Sequence, residues 1–237
     1  EFMAAMLTSV LGYLPKVGQY IEECTRMNIA VLPPDVNESI DTFACMGRSI
    51  RFGLAAVKNV GRHAVLEIVR EREEKGSFVS FRDFLERMSG GDVNKRVVES
   101  LIRCGAFDCF GARRAQMLAV FEPWMDEIAN DRRVNIEGQL SLFGEAEQKQ
   151  DTFPPVEEFA RQELLAMERE MIGLYLSGHP LDEYRGAVEQ QRDTDISAIL
   201  SEDAPLPDGQ AVTLAGMVTH VKRSTTRNSG QMAFANL

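Results

Sequence analysis

Between residues 54 and 128 the apolar side chains recur three and four positions apart in short runs, and glycines or polar breaks end each run. Ala64, Leu66, Ile68 and Val69 head a charged stretch that stops at Gly76. Residues 81–88 form a second run, broken by Ser89-Gly90-Gly91. Asp92 stands where it would cap a third helix over residues 93–103, in which Val93, Val97, Val98, Leu101 and Ile102 make one apolar stripe. Residues 111–128 make a fourth, bent at Pro123. Helices this short, each with one apolar face, are stable only when packed on one another, so the spacing predicts a small helical module.

The flanks read differently. Residues 2–11 and 15–27 have helical spacing, with Pro15 placed as a first-turn proline. Paired prolines forbid helix over residues 33–38. Residues 42–46 and 49–52, joined across Gly47-Arg48, suggest a β-hairpin. Residues 130–155 have polar, acidic linker composition, interrupted by one apolar island at 140–143, and residues 157–175 return to helix. From residue 211 the period changes to two, giving strands over 211–221 and 232–237 around a turn at 225–230. No run approaches the roughly 18 apolar residues of a membrane span, and residues 2–11 lack the basic start of a signal peptide. Cys24, Cys45, Cys104 and Cys109 have no metal-ligand spacing and are too few for a disulfide scaffold, so a reducing, cytoplasmic setting is expected.

A net charge of −10 over 237 residues argues against nucleic acid only if it is evenly spread. Residues 51–124 instead carry 13 basic and 10 acidic side chains, while residues 125–237 carry 10 basic and 20 acidic. Within the basic part, Lys58, Asn59, Val60, Gly61 and Arg62 lie between two helical stretches. A tight turn that opens a helix presents free N–H groups at the positive end of its dipole, which suits a phosphate. Glycine admits a close approach, and asparagine tolerates a left-handed backbone. A second turn, over residues 102–115, repeats the plan with Gly105, Gly111, Arg113 and Arg114. One such turn serves structure as readily as binding, whereas two in a basic segment favour duplex phosphates.

These residues, taken with the rest of the chain, resemble the bacterial family C replicative polymerases, the alpha subunits of DNA polymerase III. Residues 2–10, 20–24 and 31–37 are similar to the end of that family's fingers region, and residues 50–54 and 101–108 to its tandem helix–hairpin–helix region. Residues 173–181, Gly-Leu-Tyr-Leu-Ser-Gly-His-Pro-Leu, resemble the segment before its OB domain. Asn59 stands where the family usually has glycine. The resemblance implies a mainly α fragment with flanking helices, a short β-hairpin and truncated OB-type strands. Its parts would be the end of the fingers (1–50), the hairpin domain (51–129), a flexible linker (130–155), a helical connector (156–208) and the start of an OB fold (209–237).

On the same resemblance Gln139, Leu140, Ser141, Leu142 and Phe143 occupy the place of the family's sliding-clamp motif. A short apolar peptide in a flexible acidic linker can fold onto a partner's pockets, with Gln139 giving a directional hydrogen bond. The expected partners are double-stranded DNA, the sliding clamp and, through the parent, other replicase subunits, with no membrane. The parent would be a DNA-directed DNA polymerase whose palm carboxylates hold Mg²⁺ and lie before residue 1. This stretch should be inactive alone, with no catalytic residue, metal or cofactor of its own. Asp193-Thr194-Asp195 reads as helix capping, and the strand remnant, with Lys222, Arg223 and Arg227 beside Phe234, is too small to bind a single strand. The competing readings are a non-catalytic clamp-and-DNA adaptor, a damage-tolerant polymerase paralogue, and a repair protein using hairpins alone.

Overall fold

The computed structural model describes residues 1–136, 151–194, 199, 207, 209–218, 220–225 and 231–236. It is mainly α-helical and falls into two compact units, Glu1–Ser177 and Gly178–Leu237. Among the described residues no helix is long and apolar enough to cross a membrane.

The first unit opens with α1 (Phe2–Ser9) and α2 (Leu14–Arg26), the latter with proline in its first turn. Asn28, at φ 55°, turns the chain into β1 (Ala30–Leu32). β2 (Ala44–Met46) and β3 (Ser49–Arg51) form the expected hairpin around Gly47, and β3 also pairs in parallel with β1, Val31 opposite Ile50. That third strand has no signature in the sequence, because three residues before a Pro-Pro pair are too few to show a period.

α3 (Arg62–Lys75) and α4 (Phe81–Met88) match their runs. α4 is capped reciprocally: the Asp83 N–H donates to Ser80 Oγ at 3.2 Å, and the Val79 N–H to Asp83 Oδ2 at 3.0 Å. α5 spans Lys95–Arg103, and its cap is Asn94 rather than Asp92, with Asn94 Oδ1 accepting the Val97 N–H at 3.1 Å. Asp92 is otherwise engaged, since its own N–H donates to Glu67 Oε2 at 2.9 Å.

α6 (Arg114–Ile136) starts three residues later than expected, runs eight residues further and contains Pro123. Asp126 pairs with Lys95 at 2.7 Å and Glu127 with Arg82 at 3.1 Å in the expected part, and in the extension Arg132 donates to the Ser89 and Glu86 carbonyls. Linker composition there encodes a solvated helix face. α7 (Arg161–Ile172) is shorter than expected and ends at left-handed Gly173. Residues 153–160 are neither helix nor strand and lie against α6: Phe153 packs on Trp124, and Gln116 Nε2 donates to the Pro154 carbonyl at 3.0 Å.

Short amphipathic helices meet in one core. Phe107 is fully buried and meets Phe81 and Phe84 edge-on, with ring centroids 5.0 and 4.8 Å apart, and Phe84 meets Phe78 at 4.9 Å. The Asn37 side chain ties the β1–β2 loop to this core by donating to the Phe78 carbonyl and accepting the Phe78 N–H.

The second unit holds α8 (Arg185–Gln191) and an antiparallel pair, β4 (His220–Thr225) with β5 (Gln231–Asn236). The first expected strand therefore begins at 220, not 211. Asp193 takes the groups that a ladder at 213 would use: its Oδ1 accepts the Thr213 N–H at 2.8 Å and its N–H donates to the Thr213 carbonyl at 3.2 Å. The helix start that Asp193-Thr194-Asp195 was expected to cap lies outside the described residues. Asp195 and Arg227 lie outside the described residues, as does most of the turn expected at 225–230.

Candidate nucleic-acid interface

The first turn follows a short 3-10 segment, Leu54–Ala56. Val57 and Val60 point into the core and Ala64 is buried below them, while Lys58, Asn59, Gly61, Arg62 and His63 are exposed. Asn59 takes φ 65°, the left-handed conformation that its short polar side chain tolerates. Two non-local bonds fix the turn. The Lys58 N–H donates to the Met171 carbonyl of α7 at 2.8 Å, and Asn59 Nδ2 donates to Ser100 Oγ of α5 at 3.2 Å.

Gly61 precedes α3 with φ −73° and ψ 148°, and no side chain caps the helix start. Its backbone is open to any residue, and a Cβ there would have no heavy atom within 4 Å. Neither conformation nor internal packing requires glycine at this position. A side chain would obstruct only something approaching from outside, toward the free N–H groups of the first turn of α3. Arg62 Nε pairs with Asp41 Oδ2 at 2.9 Å, but its side chain remains 71% exposed, so the pair is weak and the cation stays available.

The second turn has the same outline and a different interior. Gly105 (φ 82°) and Gly111 (φ 73°) are left-handed, flanking a 3-10 segment at Asp108–Phe110. Arg114, expected to face an anion in solvent, is buried. Its Nε and Nη2 donate to the two Asp108 carboxylate oxygens at 3.1 and 2.6 Å, its Nη2 to Glu168 Oε1 at 3.2 Å, and its Nη1 to the Arg103 carbonyl at 3.2 Å. Burial pulls its pKa down, but the Asp108 and Glu168 carboxylates outweigh this and hold it above the ordinary arginine range. Gly105 serves this cluster, because a Cβ there would fall on the Arg114 guanidinium and within 2.8 Å of Asp108 Oδ2.

The start of α6 is also taken. Glu158 accepts the Arg114 N–H at 2.9 Å and the Ala115 N–H at 3.1 Å, while Gln116 Oε1 accepts the Arg113 N–H at 3.1 Å. Arg113 Nη1 donates to the Val156 carbonyl at 3.0 Å. A carboxylate of the chain itself thus sits where the second turn would receive a phosphate.

A family model for the helix–hairpin–helix motif matches residues 28–117, which include β1–β3, α3–α5 and both turns. Along its whole length the chain is 39% identical over 244 residues to DNA polymerase III subunit alpha of Mycobacterium tuberculosis. The Thermus aquaticus and Treponema pallidum subunits are 42% identical over 98% of the chain and 33% identical over all of it. The chain belongs to the DNA polymerase III alpha-subunit family. It spans about a fifth of the length of these relatives, from 19 to 20%.

In this alpha-subunit segment the nine residues expected to contact DNA are thus separated. Lys58, Asn59, Val60, Gly61 and Arg62 form one exposed turn, with Val60 contributing backbone only. Gly105 and Arg114 belong to an internal cluster, and Gly111 and Arg113 sit at a helix start occupied by Glu158. Gln139, Leu140, Ser141, Leu142 and Phe143 lie outside the described residues. Sequence spacing missed Ser100, Glu158 and Glu168, whose partners are 41 to 54 residues away. Among the described residues no group of three or more His, Cys, Asp or Glu is placed to hold a metal ion.

Proposed function

We propose that this segment grips duplex DNA by its phosphates through the turn at Lys58–Arg62 and tethers its parent polymerase to the sliding clamp through residues 139–143. The observation that carries the DNA reading is Gly61, a glycine required by neither backbone nor packing at the uncapped, exposed start of α3. Phosphate oxygens there would accept the free N–H groups, with Lys58 and Arg62 alongside, and such contacts position a duplex without reading its sequence. The test is Gly61→Val. Its Cβ stands in open space, so thermal stability should change little, while duplex affinity should fall about tenfold, or about 1.4 kcal/mol. Wild-type affinity in that variant, read by fluorescence anisotropy on a fixed duplex at one salt concentration, would sink the assignment.

The clamp reading rests on the Gln-Leu-Ser-Leu-Phe sequence and its place after the hairpin helices. A peptide of this size binds at about micromolar Kd, near −8 kcal/mol, and simultaneous DNA and clamp contacts raise the effective concentration of each. Leu142→Ala with Phe143→Ala should abolish capture of the chain by immobilised clamp and leave duplex binding intact. Equal capture of the double variant overturns the tether. In this reading DNA synthesis is the parent's activity, the β4–β5 pair opens an OB fold, and nucleotidyl transfer is not routed through the residues of this chain.

A further inference from the structure

The surface around the first turn carries a cation that spacing did not single out. Two bonds hold α5 beside the start of α3: Asn59 Nδ2 to Ser100 Oγ at 3.2 Å, and the Asp92 N–H to Glu67 Oε2 at 2.9 Å. Going from the first bond to the second, the chain advances eight residues on the α3 side and returns eight on the α5 side. The two segments therefore run in opposite directions, with His63 on one and Arg96 on the other. Both are exposed. Arg96 lies one helical turn before Ser100 and so on the same face of α5, the face that Asn59 reaches.

The neighbouring charges leave this cation available. Lys95 pairs with Asp126 at 2.7 Å and Glu99 with Arg103 at 3.1 Å, while the Glu67 carboxylate accepts the Asp92 amide. Asp92 itself lies at the far end of the strip. Among the described residues no ion pair or hydrogen bond engages the Arg96 guanidinium. Lys58, Arg62 and His63 thus stand at the opening of α3, and Arg96 stands one helical turn from the Ser100 that Asn59 contacts, whereas the second turn has closed on Glu158.

We infer that the phosphate-binding surface continues from the first turn across to Arg96 on α5, and does not continue to the second turn. The ligand is the sugar–phosphate backbone of double-stranded DNA, met by Arg96 at a phosphate next to the one at Gly61. This inference rests on the duplex-binding role proposed for the first turn.

The test compares Arg96→Gln with Arg113→Gln, two variants with the same loss of charge, in the 237-residue chain on one DNA duplex over a range of salt concentrations. Arg96→Gln should weaken binding and reduce the slope of log K against log salt by about 0.9, the value for one phosphate contact. Arg113→Gln should leave both unchanged. If Arg96→Gln keeps the wild-type slope, or if Arg113→Gln loses as much, the inference falls. Gly61→Val separates the two levels. If it weakens binding while Arg96→Gln does not, only the extension to α5 is overturned; if the wild-type chain does not bind, or Gly61→Val binds as wild type, both are.

Discussion

Replacing Arg114 by methionine should lower the stability of the chain by about 3–5 kcal/mol, the cost of leaving a buried charge without its partner. The exposed charge of the cluster matters little, because Asp108 is 51% exposed and can rehydrate. Glu168 cannot. Its side chain is 3% exposed, one oxygen faces Arg114 at 3.2 Å, and the other accepts the Ser177 N–H and Oγ–H at 3.2 and 2.9 Å. Without the guanidinium that carboxylate must either stay charged in a poor solvent or take up a proton. A second substitution, Glu168→Leu on the Arg114→Met background, should restore most of the loss, since well-packed apolar pairs replace buried ion pairs at little cost. Urea unfolding of the wild type and the two variants reads both effects. A single variant within about 1 kcal/mol of wild type would show that Arg114 is not the counter-charge of Glu168.

Phe107→Ala should cost about 3–5 kcal/mol by a different route, loss of buried apolar surface plus a cavity. The ring is fully buried and meets Phe81 and Phe84 edge-on, with Phe110 stacked at 6.0 Å. Those rings come from α4 and from the second turn, on three sides of the gap, so collapse into the space would require helices to move. The residue also sits directly before the Asp108–Phe110 segment, so the gap would open beside the Arg114 cluster. Val79→Ala provides the contrast, because Val79 is 80% exposed and should change stability by no more than about 0.5 kcal/mol. Equal denaturant midpoints for the two variants would mean that the aromatic cluster does not support the unit.

Much of the architecture is legible locally. The stop at Gly76, the break at residues 89–91, the hairpin at Gly47-Arg48 and the left-handed turn at Asn59 before α3 each follow from a few neighbouring residues with strong conformational preferences. Local preference does not decide the structure where a distant partner competes for a local group. Asp92 resembles a cap, but Asn94 caps α5 while the Asp92 amide is held by Glu67, 25 residues earlier. Residues 130–136 resemble linker, yet α6 runs through them, held by Asp126 and Glu127 on the preceding turn and by Arg132 within them.

The two turns show the same division most clearly. Composition and spacing alone determined that this chain would carry short helices, two glycine-bearing turns and a basic middle within an acidic total. They could not distinguish the turns, because both offer glycine, a helix start and arginine. That difference was decided by residues 44 and 54 positions further along: Glu158 on the Arg114 amide and Glu168 on its guanidinium. A helix start attracts whichever anion the fold delivers to it. At α6 the fold delivers one of its own carboxylates, and at α3 it leaves the position open to solvent.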